Sequence, residues 1–312
     1  MRAVVVRDYG GPEALEVIDV PDPETSRGQV RIRVEAAAVN PVDVATREGL
    51  MNEARPGVIR EREHVGIGWD VAGTIDAIGP EVTAFVPGDR VIGLRDRLDR
   101  PLGTYAERIV LDAADVAPAP AGVDSVAAST IPLNALTAIQ ALDALGLAAG
   151  QAILVTGAAG ALGGFGVELA AMRGLRVVAA AGDDDEKLVR ELGAADFVPR
   201  SADLAEAARD LVPGGVDGVF DAAVLGYPAL DAVRGGGAFA SFVLPGPDRL
   251  RGIRVEPVMI RAGGAALSAL SALAAAGKLT LRVADTYPLE HAARAHERLE
   301  AGGLRGRLVL IP

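Results

Sequence analysis

Residues 152–171 read AILVTGAAGALGGFGVELAA: an apolar run, a turn of glycines and alanines, then apolar residues at helical spacing. No other stretch constrains the chain as strongly. A short buried strand that passes into a helix through so little side chain opens a crossover unit, and such units build parallel sheets. Gly157, Gly160 and Gly163 stand at the strand-to-helix turn. Gly160 can let the backbone approach a pyrophosphate, and Gly163 can let helix and strand pack closely. Free N–H groups at the helix start attract the anion. Ala158 takes one glycine position of the full G-x-G-x-x-G pattern, so the turn alone leaves close packing open as its whole purpose. The next apolar run, RVVAAA, ends about 20 residues after the glycines, where a dinucleotide fold reads the adenosine ribose.

The surroundings divide the chain. The first third carries the strand patterns RAVVVRDY, QVRIRVEAAAVN, DVAGTIDAIG, DRVIGL and TYAERIVL between turn signals such as GGPE and PGDR. These predict a mostly antiparallel β unit, a partly closed barrel. From about residue 120 the short runs AILVT, RVVAAA, DFVP, DGVFDAA and AFASFVL alternate with helical segments, the rhythm of an α/β doubly wound parallel sheet. The end returns to two helical stretches, ALSALSALAAAGK and LEHAARAHERLEAGG, and a last strand, GRLVLIP. That strand needs a partner sheet, and the N-terminal β unit is the economical one.

A length of 312 residues suits two domains. Half of the residues are hydrophobic, yet the apolar stretches are interrupted well before about 18 residues, so no spanning helix is predicted. MRAVVVRDYG already alternates like a strand and lacks a secretory pattern, which implies a cytoplasmic protein. The absence of cysteine excludes disulfides, thiolate-bound zinc and a cysteine nucleophile. A net charge of −11 without a basic cluster argues against nucleic acid or an anionic membrane as partner.

Ten blocks in order, among them GGPEALEVIDVPDPE, VEAAAVNPVD, GWDVAGTIDAIGPEV, VPGDRVIGL, GTYAERIV, AASTIPLNALTAIQAL, ILVTGAAGALG and ELGAADFV, resemble the zinc-free, zeta-crystallin-like quinone oxidoreductase branch of the medium-chain dehydrogenase/reductase superfamily. The resemblance runs the whole length. It implies a GroES-like, mostly β catalytic domain over 1–118 that resumes over 263–312, with a Rossmann domain over 119–262. It also implies a nicotinamide cofactor between the domains, usually NADPH, and a homodimer.

By the same resemblance, Gly160, Ala161, Leu162 and Gly163 hold the pyrophosphate, and Thr137 lies near the nicotinamide. The backbone at Ala222, Phe242 and Val243 lines the cofactor channel. Arg307 either adds positive charge near the phosphates or is a surface residue of an edge strand. NAD-dependent relatives carry a ribose-binding carboxylate where this chain has Ala180, which leaves room for a 2′-phosphate. Asp183, however, stands where many members have Ser or Thr for that phosphate, within the acidic run GDDDEK. Lys187 and Arg200 can offset those charges. The family implies NADPH, and the acidic run keeps NADH open; alternatively the run is a solvated helix start.

The chain also departs from the pattern. Zinc-containing relatives have a cysteine where this chain has Asn40 and Gly-His-Glu where it has Gly68, Trp69 and Asp70. His64, His291 and His296 are too scattered to replace those ligands; His291 and His296 fall on a predicted surface helix, and each histidine reads as solvated or packed. No metal site is expected. The tyrosines common after the VNP block are missing, Ala45 and the Leu50–Met51 region standing in their place, and the charged stretch EARPGVIRERE is expected at the substrate mouth. Asn40 is the candidate catalytic polar group, orienting ribose or substrate carbonyl, unless it only satisfies backbone groups at its turn. Trp69 and Tyr105 read as packing residues.

The function implied is metal-free, NAD(P)H-dependent reduction of a quinone or α,β-unsaturated carbonyl compound by direct hydride transfer. Such an acceptor needs no Lewis acid, because its conjugated carbonyl already takes hydride at the β-carbon. Two alternatives are an enoyl reductase of polyketide-type metabolism and a non-catalytic NAD(P)H-binding relative.

Overall fold

A computed structural model describes residues 1–60 and 62–312; Glu61, within the charged stretch 53–63, lies outside the described residues. The chain divides into two units, Met1–Leu133 with Arg261–Gly277 and Leu281–Pro312, and Asn134–Ile260 with Lys278–Thr280.

In the first unit, β1 (Arg2–Val6) pairs antiparallel with β2 (Glu16–Asp19). The 11-residue β3 (Gln29–Val39) is followed by α1 (Pro41–Arg47) and α2 (Leu50–Ala54). Next come β4 (Val65–Gly66), β5 (Asp70–Ile78), β6 (Arg90–Leu94), β7 (Arg108–Asp112) and β8 (Val116–Pro118). β4 completes a three-stranded sheet on β1. Two helical segments, α3 (Ser125–Ala128) and α4 (Pro132–Leu145), lead out of the β region. By length and composition, the stretch Ser125–Leu145 passes as a membrane span, which the sequence reading did not foresee. It is mostly buried inside the protein and broken at residues 129–131.

The second unit alternates strand and helix: β9 (Ala152–Thr156), α5 (Ala161–Met172), β10 (Arg176–Ala181), α6 (Glu186–Glu191), β11 (Asp196–Pro199), α7 (Leu204–Leu211), β12 (Val216–Asp221), α8 (Tyr227–Leu230), β13 (Val233–Ser241) and β14 (Arg254–Pro257). All six strands are parallel, in the order β11-β10-β9-β12-β13-β14. Leu154, Val178, Val198, Val219 and Phe239 share a core cluster with Leu230, against which Leu204 and Leu211 pack. The strand order reverses at β9, since β10 lies on one side of it and β12 on the other. Crevices of open α/β sheets form at such a point, outside the carboxyl ends of the strands.

The C-terminal segment contributes α9 (Gly264–Ala275), β15 (Val283–Pro288), α10 (Ala292–Glu300) and β16 (Arg307–Ile311). The last strand finds its partner in β3, whose length makes this possible. Gln29–Arg33 of β3 pair with β7, Ala37–Val39 pair with Leu308–Leu310 of β16, and β5 occupies the other edge. The result is a seven-stranded sheet, closed off at one end by β15, which runs parallel to β16.

Three regions differ from the sequence reading. β15 carries no apolar alternation, because it is an edge strand and nearly all of its residues are exposed. β14, four residues long at the edge of the parallel sheet, is equally silent. The stretch after VNP, to which the sequence reading assigned no element, opens with α1 and α2 because Pro41 starts α1 and the Asn40–Asp43 pair forms a capping box.

Candidate active site

The glycine turn begins where β9 ends. Gly157 has φ +58°, a left-handed conformation that glycine adopts without penalty. A Cβ on Gly163 would lie 2.1 Å from the Gly157 carbonyl oxygen and 2.9 Å from Ala158 Cα, so only glycine permits this approach of α5 to the turn. Gly160 is the N-cap of α5; a Cβ there would meet only the Gly157 oxygen, at 3.1 Å. Packing therefore accounts for Gly163, and it does not account for Gly160. The first turn of α5 contains no acidic residue, and its leading N–H groups at Ala161, Leu162 and Gly163 lack intrahelical acceptors, as at any helix start. This is a cradle for an anion.

A second strand end braces the turn. Ala158 N–H donates to the Ala180 carbonyl at 3.0 Å, which ties the turn to the end of β10. Beyond Ala181 come Gly182 and Asp183, whose Oδ1 accepts from Ser201 N–H at 3.2 Å, and Arg200 N–H donates to the Ala181 carbonyl at 2.8 Å. Asp183 and Arg200 thus sit together at the ends of β10 and β11. Lys187 does not join them: it projects from α6, 89% exposed, 3.9 Å from Glu191.

The third strand end holds a residue that the sequence reading missed. Asp221, buried at the end of β12, accepts from Thr156 Oγ1 at 2.7 Å, from Leu225 N–H at 3.1 Å and from Gly226 N–H at 2.8 Å. Thr156 Oγ1 in turn accepts from Ala223 N–H at 2.9 Å. One carboxylate thereby joins the end of β9 to the loop that contains Ala222. The loop holds Val224 at φ +55°, a conformation that costs a β-branched residue on the order of 1–2 kcal/mol. Past β13, the Phe242 ring packs on Phe220 with centroids 4.7 Å apart, and Val243 is exposed. Thr137 is half-buried on α4. Gly160 to Gly163, Asp183, Arg200, Ala222, Phe242 and Val243 all belong to the carboxyl-end rim of the parallel sheet.

The first unit contains a buried polar cluster. Asn40 is fully buried, and its Nδ2 donates to Asp70 Oδ2 at 2.7 Å. Asp70 Oδ1 accepts from Leu133 N–H at 2.6 Å, and Asp43 Oδ2 accepts from Asn40 N–H at 2.7 Å. Burial pushes both carboxyls up to about 7, opposed for Asp43 by its bond to the Asn40 backbone and for Asp70 by its bond from the Asn40 side chain. The Tyr105 phenol, fully buried beside Asp43, is raised well above its usual range by the same burial. Arg307 completes the cluster, lowered to about 10 by burial, with Asp70 and Asp43 acting against that shift. The surface alternative for Arg307 is thereby corrected: β16 lies inside its sheet, between β15 and β3, and the side chain is buried. Asn40 shows the features of a helix cap whose amide is engaged by an internal carboxylate.

His296 also departs from expectation. Instead of lying on a surface, it is fully buried on α10, edge-on to Tyr105 with centroids 5.9 Å apart. Burial, then the charge of Arg47, lowers it to about 3, so the ring is neutral and its Nδ1 accepts from Arg47 Nη1 at 3.3 Å. Arg47, itself fully buried, donates further to Glu48, Glu300 and the Gly10 carbonyl. The one legible signal for this region is the Asn-x-x-Asp capping spacing; Arg47 meets His296, and Asn40 meets Asp70, only in the fold.

Among the described residues, no group of three or more His, Cys, Asp or Glu side chains could hold a metal ion. Asn40 and Asp70 are bonded to each other and Trp69 is a buried indole, so this donor set does not fit a catalytic zinc.

A zinc-binding dehydrogenase family model matches residues 192–310, and an alcohol dehydrogenase GroES-like domain model matches residues 26–121. An NADPH-dependent alkenal/one oxidoreductase of Arabidopsis thaliana, chloroplastic, is 30% identical over 321 residues, covering 100% of this chain and 80% of its own. Among solved structures, the quinone oxidoreductase from Coxiella burnetii superposes with a TM-score of 0.89 at 26% identity, covering 100% of this chain and 99% of that one. A structure described as an NAD-dependent alcohol dehydrogenase gives 0.86 at 32% identity, covering 100% of both chains.

Proposed function

The chain belongs to the quinone oxidoreductase group of the medium-chain dehydrogenase/reductase superfamily, and from that premise we propose that it reduces a quinone or α,β-unsaturated carbonyl compound with NAD(P)H and without a metal. The carrying observation is the turn from Gly157 to Gly163, where one glycine is demanded by packing and another is left open at a helix start. When bound, the nicotinamide supplies the hydride. The protein's own contribution is positional. Gly160 to Gly163 present backbone N–H groups to the pyrophosphate, and Asp221 fixes the Ala222 loop through four hydrogen bonds in series with Thr156.

The donor set around Asn40 supports the metal-free reading, because conjugate reduction needs no Lewis acid and the side chains at hand offer none a seat. Proton delivery to the enolate is assigned to water: Tyr105 is fully buried with its phenol held far above neutrality, and Asn40 carries no titratable proton. A homodimer is part of the proposal. Its support is β14, the open edge of the parallel sheet, flanked in sequence by exposed Leu250 and Met259; light scattering tests it.

The functional test follows loss of reduced-nicotinamide absorbance with purified protein over a panel of quinones, enones and enoyl thioesters. Turnover of quinones or free enones is expected. Activity confined to thioester-bound enoyl groups would move the protein to the enoyl-reductase alternative. Tight cofactor binding with no turnover of any acceptor would refute the catalytic reading.

A further inference from the structure

We propose that the second unit selects NADH over NADPH, with Asp183 as the discriminating residue. The inference rests on the dinucleotide reading above and deepens it at the ribose.

Backbone geometry locates the selecting position. The Ala158–Ala180 bond sets the end of β10 beside the pyrophosphate turn, so the chain just past Ala181 is the next surface an extended dinucleotide meets. That surface is Gly182, Asp183 and Asp184; the position at which NAD-dependent relatives carry their ribose-binding acid is Ala180, three residues earlier, and Asp183 brings a carboxylate to the same strand end from the bend that follows β10.

The side chains there are sorted by their bonds. Asp185 turns inward, its Oδ2 accepting from Gly182 N–H at 3.1 Å, and so braces the bend. Asp183 is held at one oxygen only: Oδ1 takes the Ser201 N–H, and Oδ2 has no protein donor among the described residues. A fixed carboxylate with one open oxygen suits a ribose hydroxyl, which donates to it in a charge-assisted bond. It repels a 2′-phosphate, which has no proton to offer at neutral pH and brings further negative charge. Asp184, exposed and next in the chain, adds to the same sign.

The cations nearby do not reverse this balance. Arg190 is engaged by Glu186 at 2.8 Å and by the Ala195 carbonyl, and Lys187 points away beside Glu191. Arg200 has no acidic partner among the described residues, so it is the one cation set to meet the nucleotide. Its flat guanidinium suits the face of the adenine, which both cofactors share. NADPH, implied by resemblance, is therefore disfavoured by this chain's own residues.

The test is equilibrium titration of the whole protein with NADH and with NADPH, read by nucleotide fluorescence and by calorimetry. NADH is expected to bind at least tenfold tighter at low salt, with the ratio narrowing as salt rises. Asp183→Asn keeps an oxygen for Ser201 N–H and removes the charge; it should tighten NADPH about tenfold and change NADH less. Arg200→Ala should weaken both nucleotides alike. Equal or tighter NADPH binding by the native protein, or an Asp183→Asn variant that leaves the ratio unchanged, would overturn the selectivity. Failure of both nucleotides to bind the folded protein would instead overturn the dinucleotide reading and this inference with it.

Discussion

Replacing Gly163 by alanine tests the close-packing argument at its sharpest point. The added Cβ would sit 2.1 Å from the Gly157 oxygen and 2.7 Å from its carbonyl carbon, and both are backbone atoms that no rotamer change can move aside. Real Cβ atoms essentially never come within 3.0 Å of a neighbour, so helix and turn must separate by about 0.9 Å, the difference between 3.0 and 2.1. Overpacking of this kind costs about 1–3 kcal/mol, and the better helix propensity of alanine returns up to about 1 kcal/mol. A net loss of about 1–2 kcal/mol is expected in denaturant unfolding followed by a probe of the second unit. The same displacement moves the N–H groups of Ala161 and Leu162 off the pyrophosphate, so nucleotide affinity should fall about tenfold or more, equivalent to about 1.4 kcal/mol. Gly160→Ala is the control. Its Cβ would meet one atom at 3.1 Å, so stability should change little while nucleotide binding still weakens. A Gly163→Ala protein with native stability and native affinity would show that helix and turn do not depend on this close approach.

Two further outcomes concern the first unit. Asp43 is raised to about 7 in the folded protein, so between about pH 4 and 7 the folded state holds a proton that the unfolded chain has released; this group's contribution to stability declines as pH rises through that window, by up to about 1.4 kcal/mol per pH unit. Asp43→Asn should flatten that decline in urea unfolding measured from pH 4 to 8, and an unchanged slope would refute the assignment. Arg47→Ala leaves the Gly10 carbonyl without its donor and takes a partner from the partly exposed Glu300, and should cost about 1–3 kcal/mol by chemical denaturation; a loss below about 0.5 kcal/mol would show that the cluster is not structural.

Much of the architecture is legible before any coordinates. The apolar run into Gly157, Gly160 and Gly163 announces a wound parallel sheet, because few other residues permit a strand to meet a helix so closely. Capping of α1 by Asn40 and Asp43 is likewise written in the Asn-Pro-x-Asp spacing, since a cap is local and its partners are three residues apart. The edge strands β14 and β15 leave no trace: β15 is exposed along nearly its whole length, and β14 buries only Val255 of its four residues, too little to impose alternation.

The site divides along the same line. Sequence alone determined which backbone turn can hold a pyrophosphate and that neither cysteine nor a histidine cluster is at hand for zinc, because glycine spacing and residue identity are one-dimensional properties. The fold settled which carboxylates are engaged. It turned Asp185 inward and left one oxygen of Asp183 open. It buried Arg307 among Asp43, Asp70 and Tyr105, and it joined Thr156 to Asp221 across 65 residues. These are long-range pairings of groups whose charge is affordable in the interior only when a partner arrives from a distant strand, and no local pattern in the chain records that arrival.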